Sequence, residues 1–256
     1  CGQMKNIRRR NIFAVCALCV NVGFFSDPEN IPGLAHLLEH MLYIGCADKY
    51  RKYKKFKVFV SQYNAGTSCE STTYYFRCPV EDLHKTLNVL SQFLKSPSLP
   101  MESVKGERDI LDLEFNLKSQ DDYNRIDQLI SAFMSDSNPA RKFKWGDSRT
   151  LKGNITEYKL QDSLRKFHRK YYSANLMTLV ILGKTLPIET MENCVSEIFA
   201  GVPNREAVTD GWQKSKPFFK KREFHSMYFV YSVEDVNNVI LMWEFPPFGE
   251  LYRSKV

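Results

Sequence analysis

Pro32-Gly33-Leu34-Ala35-His36-Leu37-Leu38-Glu39-His40-Met41 is the stretch that decides how this chain folds, because at its centre stands a metal-hydrolase signature in reversed order. Residues four apart on a helix share a face, so His36 and His40 come close enough to ligate one metal ion. Glu39, three residues after His36, projects beside the same point, where its carboxylate can take a proton from an attacking water. The plain alternative is an amphipathic helix with two partly buried histidines. The flanks favour the metal reading. Asn11 to Phe25 is rich in Ile, Val, Phe and Cys and reads as a buried strand. Ser26 to Asn30 reads as a turn, and Pro32 suits the first turn of a helix, where it has no amide to lose. One rigid strand-turn-helix unit would then carry both histidines, as a preformed metal site requires.

A tetrahedral catalytic zinc takes three protein ligands and keeps one position open for water. Glu114 is the best candidate for the third. The segment Glu102 to Ser119 has apolar residues at helical spacing, no proline, and Gly106 as its sole glycine. Glu107 and Glu114 are two turns apart and share a face. One of the two carboxylates can ligate while the other orients a ligating histidine.

PGLAHLLEHMLYIG, followed at this distance by an E-x6-E pair, resembles the inverzincin metallopeptidases, the pitrilysin and insulin-degrading enzyme family. The similarity runs from about Val15 to about Pro203, with a weaker tail to about Pro247. ALCVNVGFFSDP, Asp122 to Arg125, KFKWGDSRTLKG and KYYSANLMTLVILGK resemble the nardilysin subgroup. The resemblance implies one Zn2+ per chain on His36, His40 and Glu114, general-base duty for Glu39, a supporting role for Glu107, and substrate-strand pairing at Asn64 and Ala65. It implies a zinc metalloendopeptidase acting on peptides, nardilysin-like and directed at basic residues. The alternative is a weak or inactive truncated member that serves as a binding or assembly subunit.

Two segments depart from the family's pattern. Lys49-Tyr50-Arg51-Lys52-Tyr53-Lys54 stands where members of this group carry Tyr-Pro-x-Glu-Asn, and VSQYNAGTS is a few residues short of the family's Gly- and Ser-rich run. That shortening alters how an extended peptide is presented to the metal.

With 256 residues, 43% of them apolar, the chain can build an ample core. No apolar run approaches the ~18–20 residues of a membrane span, and the N-terminal apolar stretch is read as a core strand rather than a signal peptide. Seven scattered cysteines argue against a disulfide framework and for a reducing, cytoplasmic compartment, with mitochondrial or exported locations as the alternatives. Cys16 and Cys19 are expected as buried apolar residues of a strand. The net charge of +7 comes largely from Lys5–Arg10 and Lys49–Lys57. These read as solvated basic faces, not as a nucleic-acid site.

Thr72 to Cys78 and Leu176 to Leu182 read as strands, and Pro79 to Leu94, Asp122 to Met134, Tyr158 to Tyr172 and Ile188 to Phe199 as helices. The expected architecture is α+β, a mixed, largely antiparallel sheet layered with helices. Residues 1–203 are expected to form the peptidase domain and 204–221 a linker. Residues 222–256 would hold the opening strands of an incomplete second repeat domain, including Met227–Val230 and Val239–Trp243. Family relatives enclose peptides between two halves, so a complementary C-terminal half or a family subunit is the expected partner.

Overall fold

The computed structural model describes residues 12–49 (the backbone alone for 43–49), 60–153, 155–209, 219–220, 226–235 and 237–243. Lys5–Arg10, most of Lys49–Lys57, Asn154, Arg222, Phe245 and Phe248 lie outside the described residues.

Four strands, β1 (Phe13–Val20), β2 (Gln62–Thr67), β3 (Thr72–Pro79) and β4 (Met177–Gly183), form one sheet in the order β2-β3-β1-β4. Every neighbouring pair is antiparallel. The period-2 alternation of β1 turns Ala14, Cys16, Leu18 and Val20 inward, and β3 answers with Thr72, Tyr74, Phe76 and Cys78. Cys16 faces Phe76 on one side and Ile181 on the other. Cys19, expected to be buried, is half-exposed, because it points to the opposite face of the sheet. That face also leaves Val15, Tyr75, Val180 and Leu182 exposed. The five cysteines whose side chains are described are free thiols.

The inner face is covered by helices α1 (Leu34–Lys49), α2 (Leu83–Lys95), α3 (Met101–Lys118), α5 (Glu157–Tyr171) and α6 (Ile188–Phe199), while α4 (Asp122–Phe133) lies outside the core. The architecture is therefore α+β. Helix α1 sits at its centre, in contact with α2, α3, α5 and β2. Leu34, Leu37, Leu38, Met41 and Leu42 of α1 are essentially fully buried. Each such side chain contributes roughly 1.5–3 kcal/mol by leaving water. A helix buried on so many sides holds its histidines in fixed positions.

Two expected boundaries move, for physical reasons. The strand expected to reach Phe25 ends at Val20, because the amides of Phe24 and Phe25 turn to the carbonyls of Ser68 and Cys69 in the β2–β3 turn. The helix begins at Leu34 and not at Pro32, because Gly33 takes a left-handed φ of +91° that no helix contains. Its first amides are capped by Asp27, whose carboxylate accepts from the N–H groups of Gly33 (2.7 Å) and Ala35 (2.8 Å). Burial pushes the Asp27 carboxyl up to about 7, against those amides and the Lys142 ammonium.

Met227–Val230 and Val239–Trp243, expected as strands, join no ladder among the described residues. A strand is held by its neighbour, and here Phe229 and Val239 stand 88% and 89% exposed. What anchors this segment is α4: the Asp122 carboxylate accepts from the amides of Val233 and Glu234, and Arg125 donates to the Tyr231 carbonyl. No described helix is long and apolar enough to cross a membrane.

Candidate metal centre

The two histidines and Glu114 arrive from α1 and α3, which pack directly on one another. Their donor atoms all lie within 4.8 Å of one another. The Glu114 Oε2 is 3.6 Å from His40 Nε2 and 3.9 Å from His36 Nε2. Ligand atoms in a tetrahedral zinc shell stand about 3.3 Å apart, so the three donors would have to draw closer together to share one ion.

The outer nitrogens of both rings are already engaged. His36 Nδ1–H donates to the Trp145 carbonyl at 2.7 Å, and His40 Nδ1–H donates to Glu107 Oε2 at 2.9 Å. Both Nε2 atoms are thereby turned toward Glu114, the orientation that ligation needs. The site favours positive charge. Burial alone would lower the His40 pKa, but the hydrogen bond to Glu107 and the nearby carboxylates of Glu114 and Glu39 hold it up at about 9. The nearness of His40 holds the Glu114 carboxyl below the usual range, against its own desolvation. Two imidazoles whose Nε2 atoms face one carboxylate, with further carboxylates beside them, fit a divalent cation of the zinc type, which would displace the His40 proton on binding.

Glu39 is buried beside this cluster but is not part of it. Its Oε2 accepts from the Thr67 hydroxyl at 2.7 Å. Asn64 and Ala65 lie on β2, the edge strand of the sheet among the described residues, three and two residues before Thr67. Asn64 is exposed and Ala65 half-buried.

Several contributors were not legible in the motif. Trp145 acts through its backbone carbonyl, delivered across 109 residues. The close approach that delivers it is made by glycine: a Cβ on Gly33 would lie 2.3 Å from the Gly146 Cα, and Gly146 itself has φ +73°. Lys142 adds a strap, donating to the carbonyls of Phe25 and Asp27, and Asp112 of α3 accepts from the Ser148 amide. Thr67 is another. The KFKWGDSRTLKG segment carried the only sequence signal for this loop, as a resemblance without a mechanism.

An α+β layer with His-x-x-Glu-His on one helix and a glutamate converging from the next defines a reversed-motif metallopeptidase fold. Comparison with known proteins agrees. Residues 7–143, more than half of the chain, match the Insulinase (Peptidase family M16) family, and residues 159–255 match the Peptidase M16 inactive domain. The chain belongs to peptidase family M16. It is 32% identical over 248 residues to nardilysin of Rattus norvegicus, covering 94% of this chain and 21% of that protein. With insulin-degrading enzyme of Mus musculus it shares 33% over 226 residues, covering 86% of this chain and 22% of the relative. The crystal structure of pitrilysin superposes with a TM-score of 0.73 at 29% identity, over 82% of this chain and 22% of that one. The first half of the periplasmic protease PqqL from Escherichia coli shares the fold, with a TM-score of 0.67 at 21% identity over 78% of this chain and 44% of that one. The chain thus spans about a fifth of the length of the nardilysin and insulin-degrading enzyme relatives.

Proposed function

We propose that this chain is the catalytic domain of a nardilysin-like zinc metalloendopeptidase, with zinc on His36, His40 and Glu114 and Glu39 as general base. The observation that carries the reading is the convergence of both Nε2 atoms on Glu114 Oε2, with each Nδ1 occupied from behind. Zinc bound there would supply a Lewis acid that polarises a scissile carbonyl and acidifies water. Everything else falls to the chain. Glu107 and the Trp145 carbonyl hold the imidazoles in the ligating tautomer. Glu39 takes the proton of the attacking water on its carboxylate and returns it to the leaving amine. Asn64 and Ala65 lie on β2, the first strand in the order of the described sheet, and are proposed to pair with the backbone of an extended peptide. Cleavage at basic residues is proposed from the likeness to nardilysin.

The folded unit is proposed to run to about Pro203, with 204–221 as a linker and 222–256 opening a second repeat domain. In support, β4 pairs with β1 in the same sheet and α6 packs on α2. The rival role as an inactive assembly subunit finds no favouring observation, since base and donors are all present.

The test of the assigned roles is Glu39→Gln. This variant should retain zinc and lose about two to four orders of magnitude in peptide hydrolysis, assayed with whatever complementary half the parent needs. Loss of the metal, or full activity, would remove Glu39 from the role of base.

A further inference from the structure

We propose that Thr67 is a positioning residue for Glu39, holding one carboxylate oxygen so that the other alone meets the attacking water. The proposal rests on the metallopeptidase reading above. Glu39 is 7% exposed, and among the described residues no cation forms an ion pair with it, the neighbouring imidazoles pairing with Glu107 and Glu114. A buried carboxylate depends heavily on whatever hydrogen bond it keeps. Among the described residues, the one that Glu39 makes is to the Thr67 hydroxyl, which donates to Oε2 at 2.7 Å. A carboxylate is a two-fold rotor on a soft torsion. Tying Oε2 therefore fixes the plane of the group and leaves Oε1 as its free acceptor.

Thr67 can do this because its own position is fixed. It is the last residue of β2 and faces Thr72 of β3. The turn behind it is closed by the Ser68 amide on the Ser71 carbonyl at 2.8 Å. The Ser68 and Cys69 carbonyls accept from the amides of Phe24 and Phe25 at 3.1 and 3.0 Å. Gly23 beneath the turn is so close that a Cβ would lie 2.1 Å from the Ser68 carbonyl oxygen. Ala65 and Thr67, two residues apart, share the inward face of β2. The strand proposed to receive the peptide is therefore the strand that orients the base, and both take their position from one hairpin.

The test uses the full chain loaded with zinc, as the parent, Thr67→Val, Thr67→Ala and Thr67→Ser. Valine keeps the branched shape that suits a strand and removes only the hydroxyl; alanine is a second removal should valine misfold. Zinc content, melting temperature and the Kd of acetohydroxamate, a small chelator whose acidic proton passes to the neighbouring base, are measured for each. Expected are one zinc per chain throughout, hydroxamate binding weakened about tenfold or more by Val or Ala, and near-parental binding by Ser. A purely structural hydroxyl would lower the melting temperature and leave hydroxamate binding unchanged. Parental affinity in zinc-loaded Thr67→Val or Thr67→Ala overturns the proposal alone. A parent without zinc overturns the metal reading, and this proposal with it.

Discussion

His40 is the residue on which the site turns, because it meets carboxylates on both sides: Glu107 Oε2 at 2.9 Å behind it and Glu114 Oε2 at 3.6 Å in front. The two glutamates differ in what surrounds them. Glu107 is buried and hydrogen-bonded to the ring, whereas Glu114 is about one-third exposed and faces both Nε2 atoms. The sequence reading takes Glu114 as the ligand and Glu107 as its support, and the hydrogen bond of Glu107 to the ring accords with that proposal. Glu107→Gln keeps the shape and loses the charge, so zinc affinity should fall by about 10- to 100-fold while the fold persists. Competition against a fluorescent chelator measures this directly. Unchanged affinity would show that the Glu107–His40 hydrogen bond contributes nothing to the metal.

At the scale of elements, the site depends on α1 entering its core at one angle, and that angle is set at Gly33. A side chain there meets the Gly146 backbone, which cannot swing aside as a flexible side chain can. Gly33→Ala combines a left-handed φ with this overlap and should destabilise the chain by about 1–3 kcal/mol or more. It should also weaken zinc binding, since the displaced loop carries the Trp145 carbonyl away from His36. Thermal melts and zinc titration check both effects, and a parental melting temperature would refute the contact. The helical part of the site was legible beforehand because helical spacing alone puts His36 and His40 on one face and Glu107 and Glu114 on another. Strands β3 and β4 were legible from alternation, and α4 and α6 from their apolar spacing and bounding turns. What escaped was the work of backbone and small residues. Nothing in Gly33, Gly146, Trp145 or Thr67 marks them as partners until the chain brings distant loops together. The strands expected at Met227–Val230 and Val239–Trp243 were misread because apolar alternation marks a capacity to pair, and no partner strand lies beside them among the described residues.

On the scale of the whole molecule, the described residues hold a core and a candidate metal site but leave apolar surface on the outer sheet face and along the last segment, where Trp243 is 74% exposed. β4 ends the sheet with an unpaired edge among the described residues. Such surfaces favour association with a complementary half or with another copy. The isolated monomer should therefore cleave peptides containing basic pairs poorly even with zinc bound, because metal chemistry without positioning forgoes much of an enzyme's rate. Robust zinc-dependent turnover by a monomer verified in solution would show that one domain suffices. The metal itself is the most direct question. Elemental analysis of the purified, folded chain should find one zinc per molecule, lost in His36→Ala and in His40→Ala without loss of fold. A well-folded parent that takes up no zinc, even when it is supplied, would contradict the assignment of His36, His40 and Glu114 as a metal centre.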